Sequence, residues 1–166
     1  MMWQLGLTHL GAQLDRDLQA VARRVGGPQR LWDADRSELI RAARGDRTLA
    51  DALQRQRRSG LTDELEAQVA AIGAWVVGLG DNGYPQRLTE IVDPPFALLG
   101  LGDPVAQLTD GRPTIAVVGS RHPTARGREF ARQLSRELAE AGAAIISGLA
   151  LGIDAAAHEG ALDGGG

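Results

Sequence analysis

The chain has 166 residues, of which 43% are hydrophobic and 23% are charged, and its formal net charge is −3. This composition is typical of a globular protein, and the absence of cysteine excludes disulfides and thiolate metal sites. All 18 of its Lys and Arg positions are arginine, so neither a P-loop nor Schiff-base chemistry is possible in this sequence.

No metal site or membrane segment is apparent from the sequence. The three histidines, His9, His122 and His158, are too far apart for metal-ligand spacing. The first residues lack the basic and apolar regions of a secretory signal, and no apolar run reaches the ~20 residues of a membrane span. We therefore expect a cytoplasmic protein with no metal, no cofactor and no membrane partner.

Charge is segregated along the chain. Residues 36–58 carry seven arginines against three acids, residues 61–110 carry eight acids against one arginine, and residues 111–136 carry six arginines against one glutamate. An acidic protein with such patches can bind an anionic partner, because binding follows the local charge. The other interpretation is that the arginines only solvate helix faces, and the sequence leaves both open.

The chain up to about residue 70 has the pattern of short helices. The segment LDRDLQAVARRV has apolar residues at helical spacing and ends at the glycine pair before Pro28. Ser37 and Thr62 are candidate N-caps of two later helices, and Gly45 ends the first of these. We predict a compact module of four or five helices. Such a module can bind nucleic acid, dock a protein or only pack, and the sequence does not distinguish these roles.

From residue 73 the pattern changes to short strands. Residues 74–79 and 96–99 are apolar and predict two strands. The corner Asp93-Pro94-Pro95 between them is rigid, because each proline fixes its own φ and restricts the residue before it. We assign residues 71–112 to a lead-in segment between the helical module (1–70) and a third segment (113–166).

Residues 113–166 have the pattern of a βαβ unit. The predicted strands 114–118 and 143–147 are apolar on both faces, as buried parallel strands are. The helix between them is expected to bury Phe130, Leu134, Leu138 and Ala141. The strand candidates are few for a doubly wound sheet, so we expect an α/β domain that is incomplete in this chain, the N-terminal portion of a longer protein.

Two glycine-containing turns follow these strands, GSRHPT and SGLALG. The carboxyl ends of parallel strands converge on one crevice, so the turns are predicted to lie together. Gly119 and Gly148 let the backbone approach a ligand closely, and Ser120 and Ser147 add hydroxyl donors. Arg121 adds a planar cation suited to a phosphate or to stacking on a base. The pattern indicates a site for an anion rather than a catalytic pair.

Other types of site fit these residues less well. GSRHPTARG does not match the dinucleotide fingerprint G-x-G-x-x-G, and IISGLA is not a G-x-S-x-G nucleophile turn. Asp154 and His158 are four residues apart and would suit a catalytic dyad, but the simpler interpretation is an N-cap and a partly buried histidine. Arg126, Arg128 and Arg132 either flank a nucleic-acid strand or form a solvent face.

Three segments together resemble the DNA-processing protein A family (DprA, also called Smf): YPQRLTEIVDPPFALLGLGD (84–103), IAVVGSRHPTARG (115–127) and IISGLALGIDAAAHEGAL (145–162). The resemblance covers residues 72–166, whereas residues 1–70 match only in type. It implies an α/β fold in which an incomplete, truncated Rossmann-like parallel sheet is preceded by a small all-helical SAM-like or helix-hairpin module.

The resemblance implies a function without catalysis. Members of the family bind single-stranded DNA, form homodimers and help load the RecA recombinase in natural transformation, while they protect incoming DNA and displace single-strand-binding protein. It implies DNA contacts or turn-shaping roles for the following residues: Gly119, Ser120, Arg121, Thr124, Gly127, Ser147, Gly148, Gly152 and Asp154. The alternative is a nucleotide-processing Rossmann-like hydrolase of the phosphoribohydrolase type, which has similar phosphate turns.

Overall fold

Short helices fill the first part of the chain. The computed structural model describes residues 3–14, 17–103 and 111–166. The helices of the first part are α1 (Trp3–Leu14), α2 (Leu18–Val25), α3 (Pro28–Asp33), α4 (Arg36–Ala42), α5 (Arg47–Arg58) and α6 (Leu61–Ala71). The predicted end of α2 is confirmed, because Gly26 follows it in the left-handed conformation at φ +94°.

Aspartates cap three of these helices. Asp17, Asp35 and Asp46 precede α2, α4 and α5, and each accepts a hydrogen bond from a backbone N–H in the first turn. The prediction that Ser37 caps α4 is wrong, since its hydroxyl instead donates to Asp35. The Thr62 prediction is wrong too, because α6 starts after a glycine and Thr62 is buried inside its first turn.

The largest fully buried side chains in the core of this part are leucines from four helices. Leu7, Leu10, Leu31, Leu39 and Leu53 are fully buried, and they belong to α1, α3, α4 and α5. Burying a leucine side chain contributes about 1.5–3 kcal/mol, so these side chains together hold the short helices in place. None of the helices is long enough to be stable alone, which makes this packing the source of their order.

A β-hairpin packs on the same core. Strands β1 (Trp75–Gly78) and β2 (Ala97–Gly100) are antiparallel and pair Val77 with Leu98. The short helix α7 (Gln86–Thr89) lies between them in the chain. Phe96, the residue before β2, is buried in the cluster formed by the helices. The hairpin and the helices therefore form one compact unit, Met1–Asp110.

Hydrogen bonds hold the proline corner against this unit. The hydroxyl of Tyr84 donates to the carbonyl oxygen of Pro95 at 2.7 Å, and burial raises the pKa of this phenol. The side-chain amide of Gln19 donates to the carbonyl oxygen of Pro94. Tyr84, Pro94 and Pro95 of the 84–103 segment thus have a structural role in this unit.

The second compact unit is Gly111–Gly166. It contains β3 (Thr114–Ala116), α8 (Ala125–Glu140), β4 (Ala144–Ile146) and α9 (Ile153–Asp163). β3 and β4 are parallel and pair Ile115 with Ile145, so the predicted βαβ unit is confirmed. The chain is an α/β protein in which a helical module precedes part of a Rossmann-like domain. The predicted segment boundaries at residues 70 and 112 stay predictions.

The helices of this unit pack more closely than the sequence suggested. The buried face of α8 consists of Ala131, Ser135 and Ala139, whereas the side chain of Phe130 is 66% exposed. A Cβ at Gly160 of α9 would lie only 2.0 Å from a carbonyl oxygen of α8, so glycine is required there. The predicted face of α8 is wrong for Phe130 and Ala141, which are exposed, whereas Leu134 and Leu138 are half-buried. Small residues, not large ones, allow the close crossing of the two helices.

The strands of this unit are less buried than expected. Thr114, Ala116 and Ile146 are exposed, and Ile115 and Ile145 are half-buried. The prediction of buried strands is wrong here, because the described sheet has only two strands and no further strand flanks them in the described residues. In the described part of the chain, no helix is long and apolar enough to cross a membrane.

Candidate nucleic-acid interface

The turns after β3 and β4 lie against each other, as the parallel topology predicts. The hydroxyl of Ser147 donates to the carbonyl oxygen of Val117 at 2.6 Å. The backbone N–H of Ile153 donates to the carbonyl oxygen of Ser120 at 3.1 Å. These bonds join residues about 30 positions apart, so the first turn (117–124) and the second turn (147–152) form one continuous surface.

The carboxylate of Asp154 links the two turns. Its Oδ1 accepts a hydrogen bond from the backbone N–H of Gly119 at 3.3 Å, and its Oδ2 accepts one from Gly148 at 3.1 Å. Asp154 is only 7% exposed. The interpretation of Asp154 as an N-cap is wrong, since Gly152 is the cap of α9 and Asp154 lies in its first turn. Its carboxylate therefore occupies the backbone N–H groups of Gly119 and Gly148, which are not available to a ligand in this structure.

Two glycines allow this contact between the turns. Gly152 has φ +93°, and a Cβ there would lie 2.3 Å from the carbonyl oxygen of Ser120. A Cβ at Gly119 would lie 2.8 Å from the side chain of Ile153. Glycine is therefore needed at both positions. Gly119 needs it for space, and Gly152 needs it for space and for its left-handed backbone.

The start of α8 is capped within the first turn. Thr124 has extended backbone angles, and its Oγ1 accepts a hydrogen bond from the backbone N–H of Gly127 at 3.1 Å. Replacing such a cap by alanine typically costs ~1 kcal/mol. Thr124 and Gly127 fix where the first turn ends, and this places the residues before them.

Ser120 and Arg121 are the exposed polar side chains at the centre of this surface. The hydroxyl of Ser120 accepts a hydrogen bond from the backbone N–H of His122 at 3.0 Å and keeps its own proton for another partner. The Arg121 side chain is exposed and makes no hydrogen bond or ion pair to any residue that the structure describes. A guanidinium in this state can bind a phosphate or stack on a base.

The other arginines of this unit differ in their partners. Arg132 donates two hydrogen bonds to Oδ2 of Asp163, at 2.6 and 2.9 Å, and these bonds raise its pKa. Arg126 and Arg128 are exposed and pair with no residue in the described ranges. Of the three arginines predicted to flank a strand, the structure thus leaves two available.

Sequence reasoning missed the apolar side chains of the two turns. Leu149 and Leu151 are 81% and 76% exposed, and Val118 is 72% exposed. Leu149 also has φ +56°, a conformation that leucine rarely adopts. The signal that was present is the unusual pattern SGLALG, in which leucines stand in a loop between glycines.

The geometry does not assemble a catalytic dyad or a metal site. Asp154 bonds to two backbone N–H groups, and the Nε2 of His158 is buried without a hydrogen bond to any described residue. Over residues 3–14, 17–103 and 111–166, no group of three His, Asp or Glu side chains is arranged to hold a metal ion.

Comparison with known sequences identifies a family. The sequence model of the DNA recombination-mediator protein A family matches residues 75–166. Protein Smf of Synechocystis is 42% identical over 83 residues, which are 49% of this chain and 21% of that protein. DNA processing protein DprA of Bacillus subtilis is 40% identical over 86 residues, which are 52% of this chain and 28% of that protein.

A solved structure agrees with this result. The X-ray structure of DNA processing protein A (DprA) from Streptococcus pneumoniae matches with a TM-score of 0.71 and 25% identity, over 100% of this chain and 55% of that chain. The matched segments make up less than a third of the length of each of the two curated relatives, Smf of Synechocystis and DprA of Bacillus subtilis. Because the family model covers more than half of the chain, the chain belongs to the DNA recombination-mediator protein A family, which includes DprA and Smf.

Proposed function

We propose that this chain carries part of the DNA-binding surface of a single-stranded DNA-binding recombination mediator, a protein without catalytic activity. The observation that supports this most is the exposed, unpaired Arg121 beside Ser120, where the turns of two parallel strands meet. This edge of an α/β sheet is where ligands bind. The names of the relatives, DNA processing protein and recombination mediator, give the class of ligand.

The candidate residues divide into two roles. Ser120 and Arg121 contact the DNA, with Arg126 and Arg128 beside them at the start of α8. The residues that shape the surface are Gly119, Thr124, Gly127, Ser147, Gly148, Gly152 and Asp154. Because Asp154 occupies the N–H groups of two glycines, we propose that the phosphate is bound by side chains rather than by those amides.

In this proposal the protein protects incoming DNA during natural transformation and helps load the RecA recombinase in place of single-strand-binding protein. Binding is salt-dependent, because arginines displace counterions from phosphates, and tolerant of sequence, because stacking uses any base. A homodimer and a cytoplasmic location complete the proposal. RecA loading is measured as filament formation on DNA coated with single-strand-binding protein, with and without this chain.

The binding site is tested by Arg121→Ala. We expect the affinity for a labelled oligothymidylate to fall about tenfold. We also expect the salt slope, the magnitude of the slope of log affinity against log salt concentration, to decrease by about 0.7, the value for one phosphate contact on a single strand. Arg136→Ala is the matched control, since Arg136 carries the same charge in the same unit but pairs with Glu140. Equal affinities of the two variants at physiological salt would exclude this site.

A separate assay addresses the alternative of a phosphoribohydrolase. The chain is incubated with nucleoside monophosphates, and release of free base is followed by chromatography. We expect no turnover. Release of base that disappears in Arg121→Ala would show that the surface is an enzyme's phosphate site and would overturn the proposal.

A further inference from the structure

A row of exposed arginines lies on the helical unit, away from the turns of β3 and β4 in the sequence. Arg47, Arg55 and Arg58 lie within about 80° of one face of α5, because an α-helix turns about 100° per residue. Arg36 of α4 joins this face, since its Nε donates to Oδ1 of Asp51 at 2.8 Å. We call Arg36, Arg47, Arg55 and Arg58 the arginine stripe.

The stripe carries a net positive charge that the protein does not neutralise. All four arginines are exposed, and Asp51 is the only acidic residue within α5. The hydrogen bond from Arg36 lowers the pKa of Asp51, and the charges of Arg55 and Arg47 lower it further. Three guanidinium groups thus act on this carboxylate, and with Arg58 on the same face the four arginines and Asp51 carry a local charge of +3.

Three of the four arginines make no direct polar contact. Arg47, Arg55 and Arg58 form no hydrogen bond and no ion pair within 4 Å to any described residue, although the charges of Arg47 and Arg55 act on Asp51. Arg57, in contrast, points to the interior: its guanidinium donates to the carbonyl oxygens of Leu31 and Ala34 and lies over the ring of Trp32. Arg57 serves the fold, whereas the guanidinium groups of Arg47, Arg55 and Arg58 can bind a ligand.

The surroundings of the stripe do not suit a protein partner. Interface cores are rich in apolar and aromatic side chains. The large exposed apolar residues in the described part of this unit all lie after α6, namely Ile72, Ile91, Val92, Leu99 and Leu101. The exposed neighbour Thr48 and the half-buried Gln54 are polar. A polar, arginine-rich surface without apolar side chains matches a phosphate backbone.

The stripe also extends along one line of the helix surface, as a contact with an extended polyanion requires. With a rise of about 1.5 Å per residue, Arg55 lies about 12 Å from Arg47 along the helix axis and Arg58 about 4.5 Å further. Arg36 joins at Asp51, about midway between Arg47 and Arg55. We propose that the arginine stripe is a second nucleic-acid contact, which binds the sugar-phosphate backbone of a DNA strand without reading its sequence. It does not require the site at Arg121.

The test compares two double variants of the whole chain. Arg47→Gln/Arg55→Gln removes two charges from the stripe, and Arg23→Gln/Arg87→Gln removes two charges elsewhere in the same unit. Binding of a labelled 20-nucleotide oligothymidylate is measured over a range of salt concentrations. For the stripe variant we expect about tenfold weaker binding near 0.1 M salt and a salt slope lower by about 1.4, the value for two phosphates. The control changes affinity less than twofold.

Further variants distinguish a lost charge from a disturbed fold and test whether the two contacts are independent. Arg47→Lys/Arg55→Lys retains the charges and is expected to retain the salt slope, which separates loss of charge from loss of fold. In an Arg121→Ala background the stripe variant is expected to show the same further loss, since the two contacts are independent. A salt slope unchanged by the stripe variant overturns the inference, whatever Arg121→Ala does. Loss of poly-glutamate binding with full DNA binding also overturns it, because the partner is then an acidic protein.

Discussion

The carboxylate of Asp154 accepts a hydrogen bond from the backbone N–H of Gly119, 35 positions earlier in the chain, and its other oxygen accepts one from Gly148. A single side chain in the first turn of α9 thereby holds the turns that follow β3 and β4. Buried carboxylates are costly unless their oxygens are bonded, and here both are. The relative position of the two turns depends on this residue.

Asp154→Asn is expected to lower the free energy of unfolding by about 1–3 kcal/mol, because the amide nitrogen would face one of the two N–H groups and leave it without an acceptor. The measurement is the urea midpoint. Asp163→Asn is the control, since Asp163 pairs with Arg132 on the surface, where an ion pair contributes at most about 1 kcal/mol. Equal midpoints for the two variants would contradict the bridging role of Asp154.

Gly152→Ala tests the close contact between the turns. We expect a loss of more than about 2 kcal/mol in unfolding free energy, because the new Cβ meets the carbonyl oxygen of Ser120 and the backbone is left-handed. Gly142→Ala is matched, with φ +87° and open space around its Cβ, and shows only the conformational cost of ~1 kcal/mol. Similar losses at both glycines would show that the turns separate easily.

The sequence was sufficient to predict what depends on local pattern. The meeting of the turns follows from two apolar strands joined by a helix, since a βαβ unit places both strand ends at one edge. Gly26 and the Asp93-Pro94-Pro95 corner were also predictable, because glycine and proline act on their own backbone.

The missed features depend on contacts far apart in the chain. Asp154 looked like a cap because its partners, Gly119 and Gly148, come from two different turns. The buried face of α8 could not be chosen without knowing that α9 presents Gly160 to it. In the same way, the sequence of residues 36–58 indicates one patch of seven arginines, but the guanidinium of Arg57 donates to a backbone carbonyl of the helical unit.

Leu149→Gly tests whether the side chain of Leu149 contributes to DNA binding, apart from the energetic cost of its left-handed backbone. Glycine adopts φ +56° freely, so we expect unfolding free energy to change by less than about 0.5 kcal/mol. Affinity for single-stranded DNA is expected to fall severalfold, because the exposed side chain offers apolar surface to a base. Leu151→Gly, at an exposed position without positive φ, is expected to lose ~0.5–1 kcal/mol. A marked loss of stability in Leu149→Gly would show that the side chain serves the fold instead.

Asp35 makes the stability of the helical unit depend on pH. Hydrogen bonds from the backbone N–H of Glu38 and the hydroxyl of Ser37 lower its pKa in the folded state. Because the pKa of Asp35 is lowered, its contribution to the free energy of unfolding is complete above the pKa of the unfolded state, about 4. This contribution is lost as the pH falls through the pKa of the folded state. In Asp35→Asn we expect a shallower decline of the urea midpoint below pH 4, since asparagine caps without titrating. Parallel curves for the two proteins would contradict this assignment.

Arg57 and Arg58 are adjacent arginines whose replacement is expected to affect stability very differently. Burial lowers the pKa of Arg57, and its guanidinium donates to the carbonyl oxygens of Ala34 at 2.9 Å and Leu31 at 3.1 Å. Arg57→Gln is expected to cost about 2 kcal/mol in unfolding free energy, because the end of α3 loses both donors. Arg58→Gln, on the exposed stripe, is expected to change it by less than about 0.5 kcal/mol.

Arg57→Lys distinguishes charge from geometry at this position. One ammonium group does not reproduce the planar, two-pronged contact or the stacking over Trp32 at 5.8 Å, so lysine is expected to recover less than half of the loss. Urea midpoints of Arg57→Gln, Arg57→Lys and Arg58→Gln, measured under one set of conditions, make the comparison. Full recovery with lysine would mean that Arg57 stabilises the fold through its charge alone.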